Sequence, residues 1–350
     1  MLERARAVLD GEEAWIVGGA IRDELLGRRV VDLDVACRDP EGAARRYGGP
    51  VFPLSNRHGA WRVALADGRT VDFTPLQDGI ETDLATRDFT INAIAQPLAG
   101  GEAVDPFDGR SDLQRRVLRA VSPSIFEEDP LRLLRAVRLE DELGFRLDEK
   151  TERLVREGAS LVARPAGERI LAELARLTAR GFERLDELGL LEPLGGSLER
   201  LRTLDAPRPE TQLVAVFGEH LARLPVSNEL RRYASALLRA EAPSEVTRRS
   251  VFRFRRATEP WATDAVRFVL GGEELERAIE EARQNDPAEP LLRGDELGLP
   301  PGPEIGRLLA LVEEERAAGT ISTREEALEL VRRAAAEGTP SARADEGTDS

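Results

Sequence analysis

The 350-residue chain has a single cysteine, two histidines and one lysine, and each scarcity excludes something. Cys37 alone leaves no intramolecular disulfide and no thiolate zinc site, and predicts a reducing, cytoplasmic setting. His58 and His220 cannot build a histidine-rich metal centre, which removes the phosphohydrolases that rest on several His and Asp ligands. Because Lys150 is the only lysine, the positive charge is almost wholly arginine, the side chain suited to bidentate phosphate contacts. No run approaches the roughly 20 apolar residues needed to cross a bilayer, so no membrane partner is expected. The start, Met1 to Arg6, leads into no long apolar stretch, which predicts no signal peptide.

What is abundant is acid. Asp and Glu number 65 against 50 Lys and Arg, a formal net charge of −15. Taken as an average, that argues against a nucleic-acid partner, which wants a basic footprint. The average misleads, because about −11 of it falls in residues 261–350 while residues 226–260 sum to about +4. That basic stretch holds Arg253 and Arg255, which are candidate contacts to RNA phosphates.

Two kinds of periodicity divide the chain. Ala14–Val17 is a short apolar run that stops at Gly18-Gly19 and predicts a buried strand. Residues Ala20–Leu26 have helical spacing and end at Gly27. Residues Val30–Ala36 alternate between apolar and acidic, the mark of a strand. The alternating runs Trp61–Leu65 and Thr70–Phe73 flank Asp67-Gly68 and predict a hairpin. Strands and helices interleave to about Leu118. After Ser122-Pro123, helical spacing takes over, at 151–163, 168–179, 211–223 and 228–240. The polar end from Glu337 predicts disorder.

Four motifs carry candidate chemistry. The first is Gly18-Gly19-Ala20-Ile21-Arg22-Asp23 followed by Asp32-Leu33-Asp34. A strand puts Asp32 and Asp34 on one face, and two converging carboxylates suit Mg²⁺ together with substrate phosphates. Gly18-Gly19 before a helix lets backbone approach a triphosphate, and Arg22 sits one turn inside that helix. An Asp-x-Asp alone is more often a solvated strand edge. An EF-hand reading fails because its third ligand would fall on Ala36. The second motif is Thr86-Arg87-Asp88-Phe89-Thr90-Ile91-Asn92-Ala93, where a capped helix start is the competing reading. The third runs from Asp105-Pro106-Phe107-Asp108-Gly109 to Asp112-Leu113, a turn into a helix that is as readily a structural joint as a functional loop.

The fourth is Glu127-Glu128-Asp129-Pro130-Leu131-Arg132-Leu133-Leu134-Arg135-Ala136-Val137-Arg138. Pro130 suits a first helical position and Asp129 its N-cap. Arg132, Arg135 and Arg138 recur every three residues as a basic stripe. Cytosine and adenine each offer an amino donor beside a ring-nitrogen acceptor, and uracil and guanine present the opposite order. Asp129 accepting from the amine while Arg132 donates to the ring nitrogen would therefore select C and A together.

This set resembles the class II tRNA nucleotidyltransferase and poly(A) polymerase family, of the bacterial CCA-adding type, with all four motifs in order across 14–145. A further patch from Leu292-Arg293-Gly294-Asp295 to Gly306 resembles the tail of bacterial members. The resemblance implies an α+β protein. An N-terminal α/β palm with a mixed sheet and flanking helices would span 1–121, followed by an all-α neck over 122–180 and a tRNA-binding body and tail over 181–336. Residues 337–350 would form a disordered end. It implies Mg²⁺ on the catalytic Asp32 and Asp34, with Asp72 either a third metal ligand or a core Asp. Gly19 and Arg22 would contact the triphosphate, and Arg87, Asp88 and Asn92 would orient sugar and phosphates. Asp129 and Arg132, aided by Glu128, would template the base with Arg135 and Arg138 in support. The substrates would be CTP, ATP and tRNA, with no obligate protein partner.

Three departures from the family pattern stand out. Thr86 replaces a customary arginine, Arg138 is followed by Leu139-Glu140 rather than Phe-Ala, and the stretch from Phe73 to Asp83 is short. The last of these bears on the switch from C to A addition, so A-adding, CC-adding and poly(A)-adding activities remain alternatives. A nucleotide-sugar glycosyltransferase would also use Asp-x-Asp but leaves the arginine-rich helix unexplained. A catalytically inactive tRNA-binding relative would have no use for intact Asp32, Asp34 and Arg22.

Overall fold

The structure is a computed structural model that describes residues 1–55, 59–76 and 78–337. His58 and residues 338–350 of the 337–350 end expected to be disordered lie outside the described residues, while Glu337 closes the last helix. The chain divides into two compact units, one of residues 1–201 with 220–225, the other of 202–219 with the chain from 226 onward.

In the first unit, six strands among the described residues make one mixed sheet. They are β1 (Ala14–Val17), β2 (Asp32–Cys37), β3 (Val51–Ser55), β4 (Ala60–Ala64), β5 (Thr70–Pro75) and β6 (Ala95–Pro97), ordered β3-β4-β5-β2-β1-β6. Only β2 and β5 run parallel, and the hairpin read around Asp67-Gly68 forms with Ala64 opposite Thr70. Helix α1 (Leu2–Val8) precedes β1, α2 (Gly19–Leu25) follows it, and α3 (Pro40–Tyr47) follows β2. One sheet face packs under α3, where the rings of Tyr47 and Phe73 lie 5.9 Å apart and Arg45 covers Trp61. The other face carries Val17 and Ala36 against Ile80 and Leu84 of α4 (Ile80–Ala85). The alternation of strand side chains means that one register serves both faces, burying Val35, Val71 and Phe73 on the first and pointing Asp34 and Asp72 to the second.

Between α4 and β6 the second motif makes a tight 3-10 turn, Thr90–Asn92, rather than the start of a longer helix. The third motif braces it from α5 (Gly109–Arg115). Asp105 caps α5 by accepting from Gly109 and Arg110 N–H, and buried Asp112 accepts from Thr90 Oγ1 at 2.7 Å. Gly109 lies so close that a Cβ there would be 2.1 Å from the Thr90 carbonyl oxygen, so only glycine fits the joint.

The rest of this unit is helical, apart from the short parallel pair β7 (Val117–Leu118) and β8 (Arg146–Leu147). Its helices are α6 (Ile125–Glu128), α7 (Leu131–Leu143), α8 (Glu149–Glu157), α9 (Gly167–Leu174) and α10 (Ala179–Glu187). Helix α7 begins one residue later than the sequence suggests, with Pro130 at the cap position and Asp129 Oδ1 accepting from Leu131 N–H at 3.2 Å. Leu131 and Leu134 are buried.

The second unit contains α11 (Pro209–Phe217), α12 (Asn228–Arg239), α13 (Arg248–Thr258), α14 (Ala262–Phe268), α15 (Gly272–Gln284), α16 (Pro303–Ala318) and α17 (Arg324–Glu337). Its acidity is partly spent on arginines of α13. Arg249 pairs with Glu314 and Glu315, Arg253 with Glu314, and Arg255 with Asp286 and Glu259. Among the described residues, no helix is long and apolar enough to cross a membrane.

Candidate active site

A cleft of the first unit is lined by Gly18, Gly19, Asp34, Thr86, Arg87, Asp88, Asn92, Asp129, Leu131, Arg132, Arg135 and Arg169. Residues from three separate motifs therefore meet in one place. The sheet supplies its back wall through a lateral row, because Val17 is opposite Asp34, Asp34 opposite Asp72, and Asp72 opposite Arg62 across β1, β2, β5 and β4. Asp32 stands two residues before Asp34, on the same face, and accepts from Thr70 Oγ1 at 2.7 Å.

Burial beside Asp72 and Asp32 pushes the Asp34 carboxyl up to about 6, only partly offset by the Arg87 and Arg135 guanidinium groups. A crowded carboxylate of this kind gains from a nearby cation. Space for one is protected by Gly18, whose φ of +73° suits glycine and whose added Cβ would lie 2.8 Å from Asp34 Oδ2. The two oxygen donors and the open glycine wall fit Mg²⁺ held jointly by protein and phosphates. Among the described residues, no three His, Cys, Asp or Glu side chains converge as a complete cation cage. Gly18→Ala is expected to lower the activity of the site about 100-fold by displacing Asp34, with melting by circular dichroism showing a folded protein. Unimpaired activity would remove Gly18 from the site.

The floor is a chain of polar contacts. Arg22, itself buried, gives Nε and Nη2 to Asp23 and donates from Nη1 to Asn92 Oδ1 at 2.8 Å. Asn92 Nδ2 donates to Asp88 Oδ1 at 2.9 Å, which also accepts from Phe89 N–H at 2.7 Å. Asp88 Oδ2 faces Arg135 Nε at 2.6 Å. Burial acts to raise the Asp88 carboxyl, but Arg135, Asn92 and the Phe89 amide outweigh it and hold the group ionised below its ordinary range. Arg87 is aimed across the cleft by Asp83, an α4 carboxylate 2.8 Å away that the motif reading overlooked.

Asp129 and Arg132, the pair expected to read the base, sit at the other end. Arg132 Nη2 donates to the Thr86 carbonyl at 2.7 Å, so the position that departs from the family pattern acts through its backbone. Asp129 is gripped by Arg169 of α9, Nη2 to Oδ2 at 2.7 Å, a partner that sequence reading missed. The only signal for it was an Arg in the first turn of the predicted 168–179 helix. Glu128 lies outside the cleft, where it accepts from Ser124 Oγ at 2.6 Å.

The arginine stripe divides. A step of three residues falls about 60° short of a full turn, so Arg138 lies about 120° around α7 from Arg132. Arg132 and Arg135 line the cleft, whereas Arg138 is buried between Glu142 and Glu173 and ties α7 to α9. Asp72 is also buried, with both oxygens on Arg62. Arg253 and Arg255 belong to the second unit.

A mixed sheet with paired aspartates beside a glycine turn, facing a helix that presents Asp and Arg, defines a nucleotidyltransferase of the polymerase palm type. Sequence comparison agrees. The family described as Poly A polymerase head domain matches residues 60–119, and that described as Probable RNA and SrmB-binding site of polymerase A matches 144–199. The A-adding tRNA nucleotidyltransferase of Deinococcus radiodurans is 34% identical, the alignment covering 93% of this chain and 96% of that protein. The CC-adding tRNA nucleotidyltransferase of Thermus thermophilus is 35% identical over 94% of this chain and 96% of its own. In structure, the Bacillus stearothermophilus CCA-adding enzyme in complex with CTP superposes with a TM-score of 0.74 at 26% identity, covering 96% of this chain and 98% of that one. The chain belongs to the tRNA nucleotidyltransferase and poly(A) polymerase family.

Proposed function

We propose that the protein adds C, C and A to the 3′ end of tRNA, using CTP and ATP. The observation that carries this is the joint placement of Asp129 and Arg132 in the cleft that holds Asp34 and Gly18. The pair presents one acceptor and one donor, which matches cytosine and adenine alike and mismatches uracil and guanine. Arg135 and Arg87 face the sugar and phosphates, held in place by Asp88 and Asp83 respectively, Asn92 links Asp88 to Arg22, and Gly18-Gly19 lets the triphosphate approach the backbone. Asp32 and Asp34 would hold Mg²⁺, which when bound lowers the pKa of the primer 3′-hydroxyl and neutralises the departing pyrophosphate. The reaction makes a bond from the 3′-oxygen to the α-phosphorus and breaks the α–β anhydride. No covalent enzyme intermediate is needed.

One observation favours a second reading. Only residues 76–79 connect β5 to α4. A site that accepts a pyrimidine and then a larger purine must rearrange, and the shortness of the stretch from Phe73 to Asp83 bears on that switch. Addition that stops at CC is therefore the alternative, and both CC-adding and A-adding enzymes occur among the relatives. Incubation of tRNA lacking its last three, two or one nucleotides with CTP and ATP supplied separately separates them. CCA addition requires CTP use on the first two substrates and ATP use on the third. CTP use without ATP use indicates the CC-adding reading, and ATP use alone the A-adding one.

The tRNA phosphates are proposed to run along 226–260. Arg253 is 64% exposed and is the better placed of the two candidates, while Arg255, at 15%, is held by two carboxylates. Arg253→Glu is expected to weaken tRNA binding several-fold and to make the logarithmic salt dependence shallower by about 1, with CTP affinity unchanged. Arg255→Glu would face Asp286 and Glu259 and should register first as a lower melting temperature. Filter binding over a salt series checks both, and an unchanged slope for Arg253→Glu returns that residue to a plain surface role.

A further inference from the structure

Arg62 belongs to none of the motifs and does not line the cleft, yet it lies in the same sheet two strands from Asp32 and Asp34. Its Nε and Nη2 each donate at 2.7 Å to a different oxygen of Asp72, a fork-on-fork pair in the lateral row that contains Asp34. Asp72 is 7% exposed and stands directly opposite Asp34 in the parallel β2/β5 register. It stands beside Asp34 in register but does not converge with Asp32 and Asp34 as a cation site, because both its oxygens are turned to Arg62.

We propose that Arg62 is a positioning residue that withholds Asp72 from the metal, leaving a two-carboxylate site that binds cation tightly only when a nucleoside triphosphate brings further oxygens. This inference rests on the reading of Asp32 and Asp34 as metal ligands. Affinity for a hard cation rises with the number and charge of its carboxylate ligands, so a locked third carboxylate keeps the nucleotide-free site weak. The metal then arrives and leaves with its nucleotide, which suits an enzyme that must exchange one triphosphate for the next on the same primer.

The probe is Mn²⁺ alone, which takes the same oxygen ligands, titrated into the full chain without nucleotide and followed by electron paramagnetic resonance. Water-proton relaxation counts the waters left on the bound ion. Arg62→Met is expected to tighten Mn²⁺ binding at least about tenfold and to remove one bound water, as Asp72 takes a coordination position. Arg62→Lys keeps the charge but cannot fork across both oxygens, and should give a smaller gain in the same direction. Arg62→Met with Asp72→Asn should return to wild-type affinity and hydration. Unchanged affinity in a folded Arg62→Met overturns the proposal, as does a gain with no water lost, which would mean only a change in field. Asp34→Asn separates the two levels. If wild-type Mn²⁺ binding does not depend on Asp34, the metal reading fails and takes this proposal with it. If it does depend on Asp34 but Arg62→Met binds no tighter, the role of Arg62 alone fails.

Discussion

Replacing Asp34 by asparagine is expected to lower nucleotide incorporation by about a thousandfold or more while raising the melting temperature at pH 7.5. The two halves have one cause. Asp34 is crowded by burial and by Asp72 and Asp32, so its carboxyl titrates near 6 rather than 3.8. A carboxyl whose value is raised by folding binds protons more tightly in the native state. Its cost is absent below about pH 4, grows as pH rises through about 6, and is constant above that. The rise to about 6 corresponds to at most about 3 kcal/mol, and solvent reaching the half-buried carboxylate brings this to on the order of 2 kcal/mol. Asparagine removes the charge and the cost together. The stability gained by the variant should therefore be small at pH 4 and full at pH 7.5. Adding Mg²⁺ should raise the wild-type melting temperature but not that of Asp34→Asn, because only the wild type offers the second anionic ligand. Retained incorporation in the variant would sink the assignment of the site, and a variant less stable than wild type at pH 7.5 would refute the account of its charge.

That strain sits where a sequence shows only an alternating run, which marks what could and could not be read in advance. The strands β1, β2, β4 and β5 were legible because each either runs apolar into glycine or alternates between faces. Strand β3, which contains Pro53, and β6, of three residues, are too short or irregular for periodicity to reveal. The paired aspartates and the proposed base-reading pair show in the sequence as local patterns, since Asp32 with Asp34 and Asp129 with Arg132 lie a few residues apart. Their partners do not. Arg169 grips Asp129 from forty residues downstream, and Arg62 grips Asp72 only because the β4/β5 register puts them opposite each other. Arg138 shows the converse failure. A three-residue repeat looks like one stripe on paper, but the helix rotates it away from the cleft and into the acidic seam between α7 and α9, where Glu142 and Glu173 neutralise it.

Asp129→Ala should leave metal binding intact and relax the choice of base. The carboxylate has two duties in the structure. It accepts from Leu131 N–H at the start of α7, and it lines the cleft with both oxygens on Arg169, a grip that a base amine would have to share. A bidentate base contact contributes about 1–3 kcal/mol of discrimination, so preference for CTP over UTP should fall by about 5- to 150-fold. The absolute rate with CTP should fall as well, because Arg132 alone fixes the ring nitrogen without orienting the base. Loss of the hydrogen bond to Leu131 N–H costs about 1 kcal/mol of stability, a loss that melting separates from the change in selectivity. Arg169→Ala supplies the control for position. It spares the carboxylate but frees it to rotate, and the same fall in selectivity, smaller in size, is expected. Competition assays with CTP, ATP, UTP and GTP at a fixed tRNA concentration measure both variants. Undiminished discrimination in Asp129→Ala would transfer base reading to another element of the cleft. A loss in Asp129→Ala without any loss in Arg169→Ala would instead show that the carboxylate reads the base unaided, and that α9 only holds the helices together.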